Sequence, residues 1–521
     1  MTAPTVYTGG RLLVPRAGMA TATGMVVQDG IIVFVGDDDG ARRWAGGVAE
    51  VRLGGRLVTP AFVDAHVHLI QTGQVMAGID LSGAVSRDDV LRRVADFTQT
   101  QPTARVIVGH GWDEGSWADP RPPERTELDR ASGGGVVYLA RVDVHSAVVS
   151  TALLDQIPEI TQEAGFTSTG LLSRDAHHRC RAQLDSLFSD SERRQAARTA
   201  LKQAASVGIA AVHELGGPHL GPLEDVARIR EVAGEIGIDV VTYWGELAGE
   251  ESIARARSVG ARGLAGDLCV DGAIGSRTAA MVEPYADAET SGVRYLSVEQ
   301  IAQHVIGCTR AGLQAGFHCI GDDAVAATVE GLRRAASVVG EQAIRTARHR
   351  LEHLEMVGEP DMATLAELGV VASMQPAFDT AWGGPDELYA HRLGPARSTT
   401  MNRLGTLQRY GVALAFGSDT PVTPLAGWET VRAAVQHAQP AERMAPWSAF
   451  DAATRGAHRA ARDDAAGTLT PASRASLAVW DCEGELAVGD LPPLEPEVDL
   501  PTCVLTVATG ETIYDPGVVD R

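Results

Sequence analysis

The chain has 521 residues, 45% hydrophobic content and a formal charge of −22. That length exceeds what one hydrophobic core usually serves, and the composition fits a soluble globular protein of at least two domains. The acidity argues against nucleic acid or an anionic membrane as partner, since both select basic surfaces. No stretch is long and apolar enough to cross a bilayer. Residues Met1 to Gly10 show neither the basic run nor the apolar core of a secretory signal. The six cysteines, Cys180, Cys269, Cys308, Cys319, Cys482 and Cys503, form no CxxC pair and read as reduced thiols. The expected compartment is the cytoplasm.

In chain order, the first segments are short β-rich runs broken by Gly and Asp turns: Val6-Tyr7, Met25 to Val27, Ile31 to Val35 and Arg56 to Val58. The last fifty residues resume that style with Leu477 to Trp480 and Val504 to Val507, joined by the proline-rich Pro492 to Pro501. Residues 1–58 and 466–521 are therefore expected to form one small β-sandwich domain from both termini.

Residues 59–465 alternate strand-like and helix-like segments, the pattern of parallel βα units. Candidate strands are Phe62–His68, Ile209–Leu215, Val240–Glu246, Leu268–Gly272, Leu313–Cys319, Arg350–Leu354, Val370–Met374 and Ala413–Phe416. Eight such strands fit an α/β fold of the TIM-like (β/α)8 type. The gap at about 70–205 contains Arg105 to Val108 and Val136 to Leu139 and reads as an inserted subdomain, placed where it could act as a lid.

The sharpest local signal is Val63-Asp64-Ala65-His66-Val67-His68. Alternate side chains of a strand share a face, so His66 and His68 can grip one ion together. Further histidines and an aspartate fall at later strand ends: Phe317-His318-Cys319, His349-Arg350-Leu351-Glu352-His353 and Phe416-Gly417-Ser418-Asp419. With Gly109 to Glu114, Arg141 to Ser146 and Asp271 to Ser276, these segments resemble the amidohydrolase superfamily, and within it amidohydrolase family 3, across nearly the whole chain.

That resemblance implies a hydrolase of small-molecule amide-type C–N bonds, acting through metal-activated water, similar to N-substituted formamide deformylases. His66 and His68 would hold the primary ion, and His318 a second ion or a place beside the first. Asp419 would be the general base and a ligand. His353, or a metal it binds, would polarise the carbonyl. Trp112, Asp113, His145 and Arg277 are implied as substrate-binding residues, with His110 and Arg141 also in family-like motifs. Arg141, Asp143 and His145 alternate along one face, which equally suits a structural ion pair. His177-His178 reads as a surface pair in a loop.

One departure from the family pattern is chemical. Many members carry a carboxylated lysine four residues before an Asp-Gly pair; here that pair is Asp271-Gly272 and the position is Asp267. Lys202 is the one lysine of the sequence and lies elsewhere, so no carboxylated lysine is expected. Three readings stay open: Asp267 or Cys269 bridges two ions, a single ion is held, or metal binding is lost. One or two divalent ions, Zn2+ foremost, are expected. A homodimer is adopted from the resemblance alone.

Rival readings are a binding protein that keeps the fold without activity, a deaminase or cyclic-amide hydrolase of the same superfamily, and a metalloprotease. The last rests on His349-Arg350-Leu351-Glu352-His353, which matches H-x-x-E-H and would require a helix.

Overall fold

In a computed structural model, residues 3–14, 22–45, 48, 50–102, 104–482, 484 and 490–520 are described. Eight parallel strands form the central sheet: Phe62–Val67, Ile209–Gly216, Asp239–Trp244, Gly263–Leu264, Gln314–Cys319, Arg350–His353, Val371–Met374 and Ala413–Phe416. Most are buried along their whole length, as strands must be when helices cover one face and the barrel interior the other. The fold is a mixed α/β barrel, nearly closed.

Closure occurs between the first and eighth strands at their C-terminal ends. The His68 amide donates to the Thr420 carbonyl at 3.0 Å and the Asp419 amide to the His66 carbonyl at 2.8 Å. Gly417 permits this approach, because a Cβ there would lie 2.5 Å from the His66 nitrogen. The seam that shuts the barrel thus sets His66 and His68 beside Asp419.

The fourth strand corrects the sequence reading. It is Gly263–Leu264, only two residues long, and not the stretch 268–272. Gly266, at φ 90°, turns the chain out of the sheet against Leu215. Asp267 therefore sits beyond the strand end, at the barrel mouth. Strand alternation does not apply to Asp267, Cys269 and Asp271, since after Leu264 pairing is limited to an isolated bridge between Cys269 and His318.

Between the first two barrel strands, Leu171–Ser173, Ser146–Val149, Val137–Arg141, Ile107–Trp112 and Ile79–Asp80 form a five-stranded sheet. Two further sheets hold the chain ends. One joins Ile31–Gly36, Gly24–Gln28, Thr5–Thr8 and Glu50–Arg52; the other joins Arg11–Leu12, Leu57–Pro60, Leu477–Asp481, Thr502–Ala508 and Glu511–Tyr514. Tyr7, Met25 and Leu53 pack with Leu477, Val479 and Leu505 in one apolar cluster, so both termini contribute to it. No helix among the described residues is long and apolar enough to cross a membrane.

Candidate metal centre

At the C-terminal mouth of the barrel, four imidazoles surround two carboxylates. His66 Nε2 lies 3.3 Å from Asp419 Oδ1 and 3.5 Å from Asp267 Oδ1. His68 Nε2 lies 3.2 Å from Asp419 Oδ1 and 3.3 Å from Asp267 Oδ2. His318 Nδ1 is 3.9 Å from Asp267 Oδ1, and the His318 and His353 ring centroids are 4.5 Å apart. Two overlapping sets, His66–His68–Asp419 and His66–Asp267–His353, keep their donor atoms within 4.8 Å of one another. His353 and Asp419 both have positive φ, 74° and 56°, a conformation stored more often at functional sites than elsewhere.

These donors fit a metal ion. His66 Nε2 and Asp267 Oδ1 are buried and make no hydrogen bond among the described residues, although their distances are short. Ligands about 2.0–2.1 Å from a zinc ion stand roughly 3.3–3.4 Å from each other in a tetrahedron, which is the spacing found here. Without a cation, burial opposes charge on His66 and His68, but Asp419, Asp267 and Glu352 outweigh it for His66, and Asp267 and Asp419 do so for His68. His66 is raised well above its ordinary range and His68 to about 9. Conversely, burial disfavours ionised Asp267 and Asp419, yet the neighbouring imidazoles hold both below the usual carboxylate range. The carboxylates favour positive charge in this pocket, which a divalent ion would supply with neutral imidazoles around it.

Supporting residues orient these side chains. Glu352 Oε2 is 3.0 Å from His66 Nδ1, and Arg350 grips Glu352 through Nε and Nη2 at 2.5 and 2.9 Å. His353 Nδ1 donates to Gln375 Oε1 at 2.7 Å, leaving Nε2 with its lone pair. Burial and the nearby His318 depress His353 to about 3, so it is neutral. His318 Nε2 donates to the Gly272 carbonyl at 3.2 Å, which leaves Nδ1 facing Asp267. Carboxylate or amide partners of this kind fix tautomer and ring orientation in metal sites.

The other expected residues separate. Cys269 belongs to neither set of converging donors: its thiol donates to the Asp267 carbonyl at 3.5 Å, and burial beside Asp267 and Asp271 keeps it protonated. Asp271 accepts backbone N–H groups of Ala280, Ile320 and Gly321 and pins loops. A narrow cavity opens beside His318, His353 and Asp419, and His145 lines it. Trp112, Asp113 and Arg277 do not line it. Trp112 is buried in the core of the inserted sheet with its indole N–H on the Leu139 carbonyl. Asp113 pairs with Arg141 at 2.5 Å, and Arg277 with Asp287 at 2.7 Å.

Arg141 also binds Glu114 and Asp143, the ion pair expected there, but the strand ends at Arg141, so Asp143 and His145 lie in the turn after it and do not alternate along its face. His110, depressed to about 4 by burial, lies on the inserted sheet. Lys202 is exposed on the helix Asp190–Ser206. His349 precedes the sixth barrel strand, where Nδ1 accepts the Ala315 amide at 2.8 Å. A strand, not a helix, carries H-x-x-E-H, which removes the metalloprotease reading.

The sequence reading missed Glu352, Arg350 and Gln375 as supports. An arginine and a glutamate two residues apart, and so on one face of an expected barrel strand, were a signal, because buried charges occur in pairs. His177 and His178 also need correction. They belong to the helix Arg174–Leu184, with His177 buried and 2.9 Å from the Tyr138 hydroxyl. The His178 ring lies 5.5 Å from His219 and 5.7 Å from Tyr295.

A model of the amidohydrolase family matches residues 49–514. Protein LONG AFTER FAR-RED 3 of Arabidopsis thaliana is 27% identical over 91% of this chain and 88% of its own length. The N-substituted formamide deformylase of Arthrobacter pascens is 21% identical over 91% of this chain and 93% of its own. Among solved structures, an uncharacterized metal-dependent hydrolase from Pyrococcus furiosus superposes with a TM-score of 0.72 at 25% identity, covering 91% of this chain and 98% of that one.

Proposed function

The chain belongs to the amidohydrolase family, and from that premise we propose that it is a metal-dependent hydrolase cleaving an amide-type C–N bond of a small molecule. One observation carries the reading: His66 Nε2 and His68 Nε2 converge on the oxygens of Asp267 and Asp419 at 3.2–3.5 Å. The C–N assignment draws support from the deformylase likeness. Nitrogen and carboxylate donors at this spacing favour Zn2+.

A divalent ion bound here lowers the pKa of water toward ~7 and polarises a carbonyl. His66, His68 and Asp419 would hold one ion. Asp267 lies 3.5 Å from His66, 3.3 Å from His68 and 3.9 Å from His318, so it would be the residue suited to help hold a second ion with His353 and His318. Asp419 takes a proton from the attacking water and returns it to the nitrogen as the C–N bond breaks. Its ionised state suits a base. His353 presents a lone pair at Nε2, so of its two expected roles the geometry favours ligation over direct donation to the oxyanion. His145, on the cavity wall, would contact substrate. We read the two terminal sheets, residues 1–58 and 466–521, as a small β-sandwich domain buttressing the barrel.

The test is a substrate panel of N-substituted formamides, acylated amines, cyclic amides and aromatic amines. It is run on metal-replete protein, on chelated protein, and on chelated protein after zinc is restored. Amide cleavage that chelation abolishes and zinc restores supports the reading. Ammonia released only from aromatic amines would assign a deaminase instead. A metal-replete protein inert to the whole panel would favour a binding protein on this fold.

A further inference from the structure

We propose that the aromatic end of the cavity is a subsite for a protonated amine carried by the substrate, with Glu355 as its acceptor. The cavity is lined by His318, His353 and Asp419 together with the rings of Phe378, Trp382 and Tyr389. The Phe378 and Trp382 ring centroids lie 4.8 Å apart and tilted; Trp382 and Tyr389 meet nearly edge to face at 6.2 Å. Glu355 lines the same cavity and is only 3% exposed. Its Oε2 is buried and has no hydrogen-bond partner among the described residues.

The position of Glu355 is set by its backbone, whose carbonyl accepts the Asn402 amide at 2.9 Å. The Tyr389 hydroxyl faces the same carboxyl group. A buried carboxyl oxygen left without a donor costs stability, and a ligand that carries a donor would complete it.

The chemistry of the walls selects the ligand. An anion is disfavoured by Asp419 and by Asp143, both on the cavity wall. Among the described residues, no lysine or arginine lines this space to supply a countercharge. The nearby Arg141 is consumed by Asp113, Glu114 and Asp143. An alcohol would satisfy Oε2 but leave the rings no particular role. A primary ammonium uses both features, because aromatic faces attract a cation and an N–H reaches the carboxyl oxygen. An apolar arm of the substrate would then lie along Ile274 and Leu388, with the scissile bond toward Asp419.

Only the assignment of this amine to a substrate rests on the hydrolase reading; the subsite itself can be tested by binding. Calorimetric titration of the metal-replete protein with phenethylamine, and with phenethyl alcohol as neutral match, measures it directly. The amine is expected to bind at least about tenfold more tightly than the alcohol. Glu355→Gln should shrink that ratio below about threefold, and Trp382→Leu, which leaves the carboxyl intact, should reduce it as well. Thermal unfolding of each variant verifies that it is folded. Equal binding of the two probes, no binding of either, or a ratio unchanged in folded Glu355→Gln would overturn the proposal. A retained ratio in a protein inert toward every amide would uphold the subsite while removing the hydrolase reading.

Discussion

Oε2 of Glu352 lies 3.0 Å from Nδ1 of His66, and both side chains are fully buried. Arg350 neutralises that carboxylate on its far side and also donates to the Ala65 carbonyl at 2.7 Å and to Ser373 Oγ at 2.9 Å. The relay fixes which His66 nitrogen would face an ion. Glu352→Gln is expected to lower zinc affinity by about 10–100-fold, as loss of such an outer partner does. Competition with a chromophoric chelator measures it. Unchanged affinity would remove the relay from the account.

Asp419→Asn tests the base. The amide keeps the volume and one oxygen but cannot accept a proton at neutral pH. A fall in kcat of about 10²–10⁴-fold is expected, with substrate affinity changed far less. Steady-state kinetics on the best amide of the panel gives both values, and a variant with near-normal kcat would exclude Asp419 from proton transfer.

Much of this site was legible in the sequence. His66-x-His68, His318, His353 and Asp419 stand at strand ends, where a period of two and a run of apolar neighbours mark them. Asp267 was located from its distance to Asp271-Gly272, although the strand expected around it lies elsewhere. A two-residue strand, Gly263–Leu264, carries no pattern that could reveal it. The His66–Glu352 pair joins residues 286 positions apart, and no local periodicity reports such a contact. Trp112 and Arg277 were drawn toward the substrate by their motifs, whereas one fills a core and the other closes an ion pair.

Arg141 holds three carboxylates at once, and it is 2% exposed. Truncation to Met would leave Asp143, itself buried, without its cation. Breaking a buried pair in this way costs about 3–5 kcal/mol. Denaturant unfolding of Arg141→Met should show a loss of that order. A change below about 0.5 kcal/mol would mean that the network is expendable.

His304 makes stability depend on pH. Its Nδ1 accepts the Ala248 amide at 2.9 Å and its Nε2 donates to the Leu264 carbonyl at 3.0 Å, so only the neutral ring fits. Burial depresses it to about 4 from 6.5. Above ~6.5 its contribution is fully present. As pH falls from there through about 4, the unfolded chain takes up a proton that the folded chain refuses, and stability declines. His458, also held near 4 by burial, adds to the same window. His304→Gln should therefore show a shallower loss between those limits in denaturant titrations at stepped pH; an identical slope would contradict this origin.

The central claim is that His66, His68, Asp267 and Asp419 hold a divalent ion, and elemental analysis of purified protein tests it most directly. The account predicts one or two equivalents per chain, zinc foremost, and a marked loss in Asp267→Asn. Protein that carries no divalent metal, and takes up none after incubation with zinc or manganese, would contradict it.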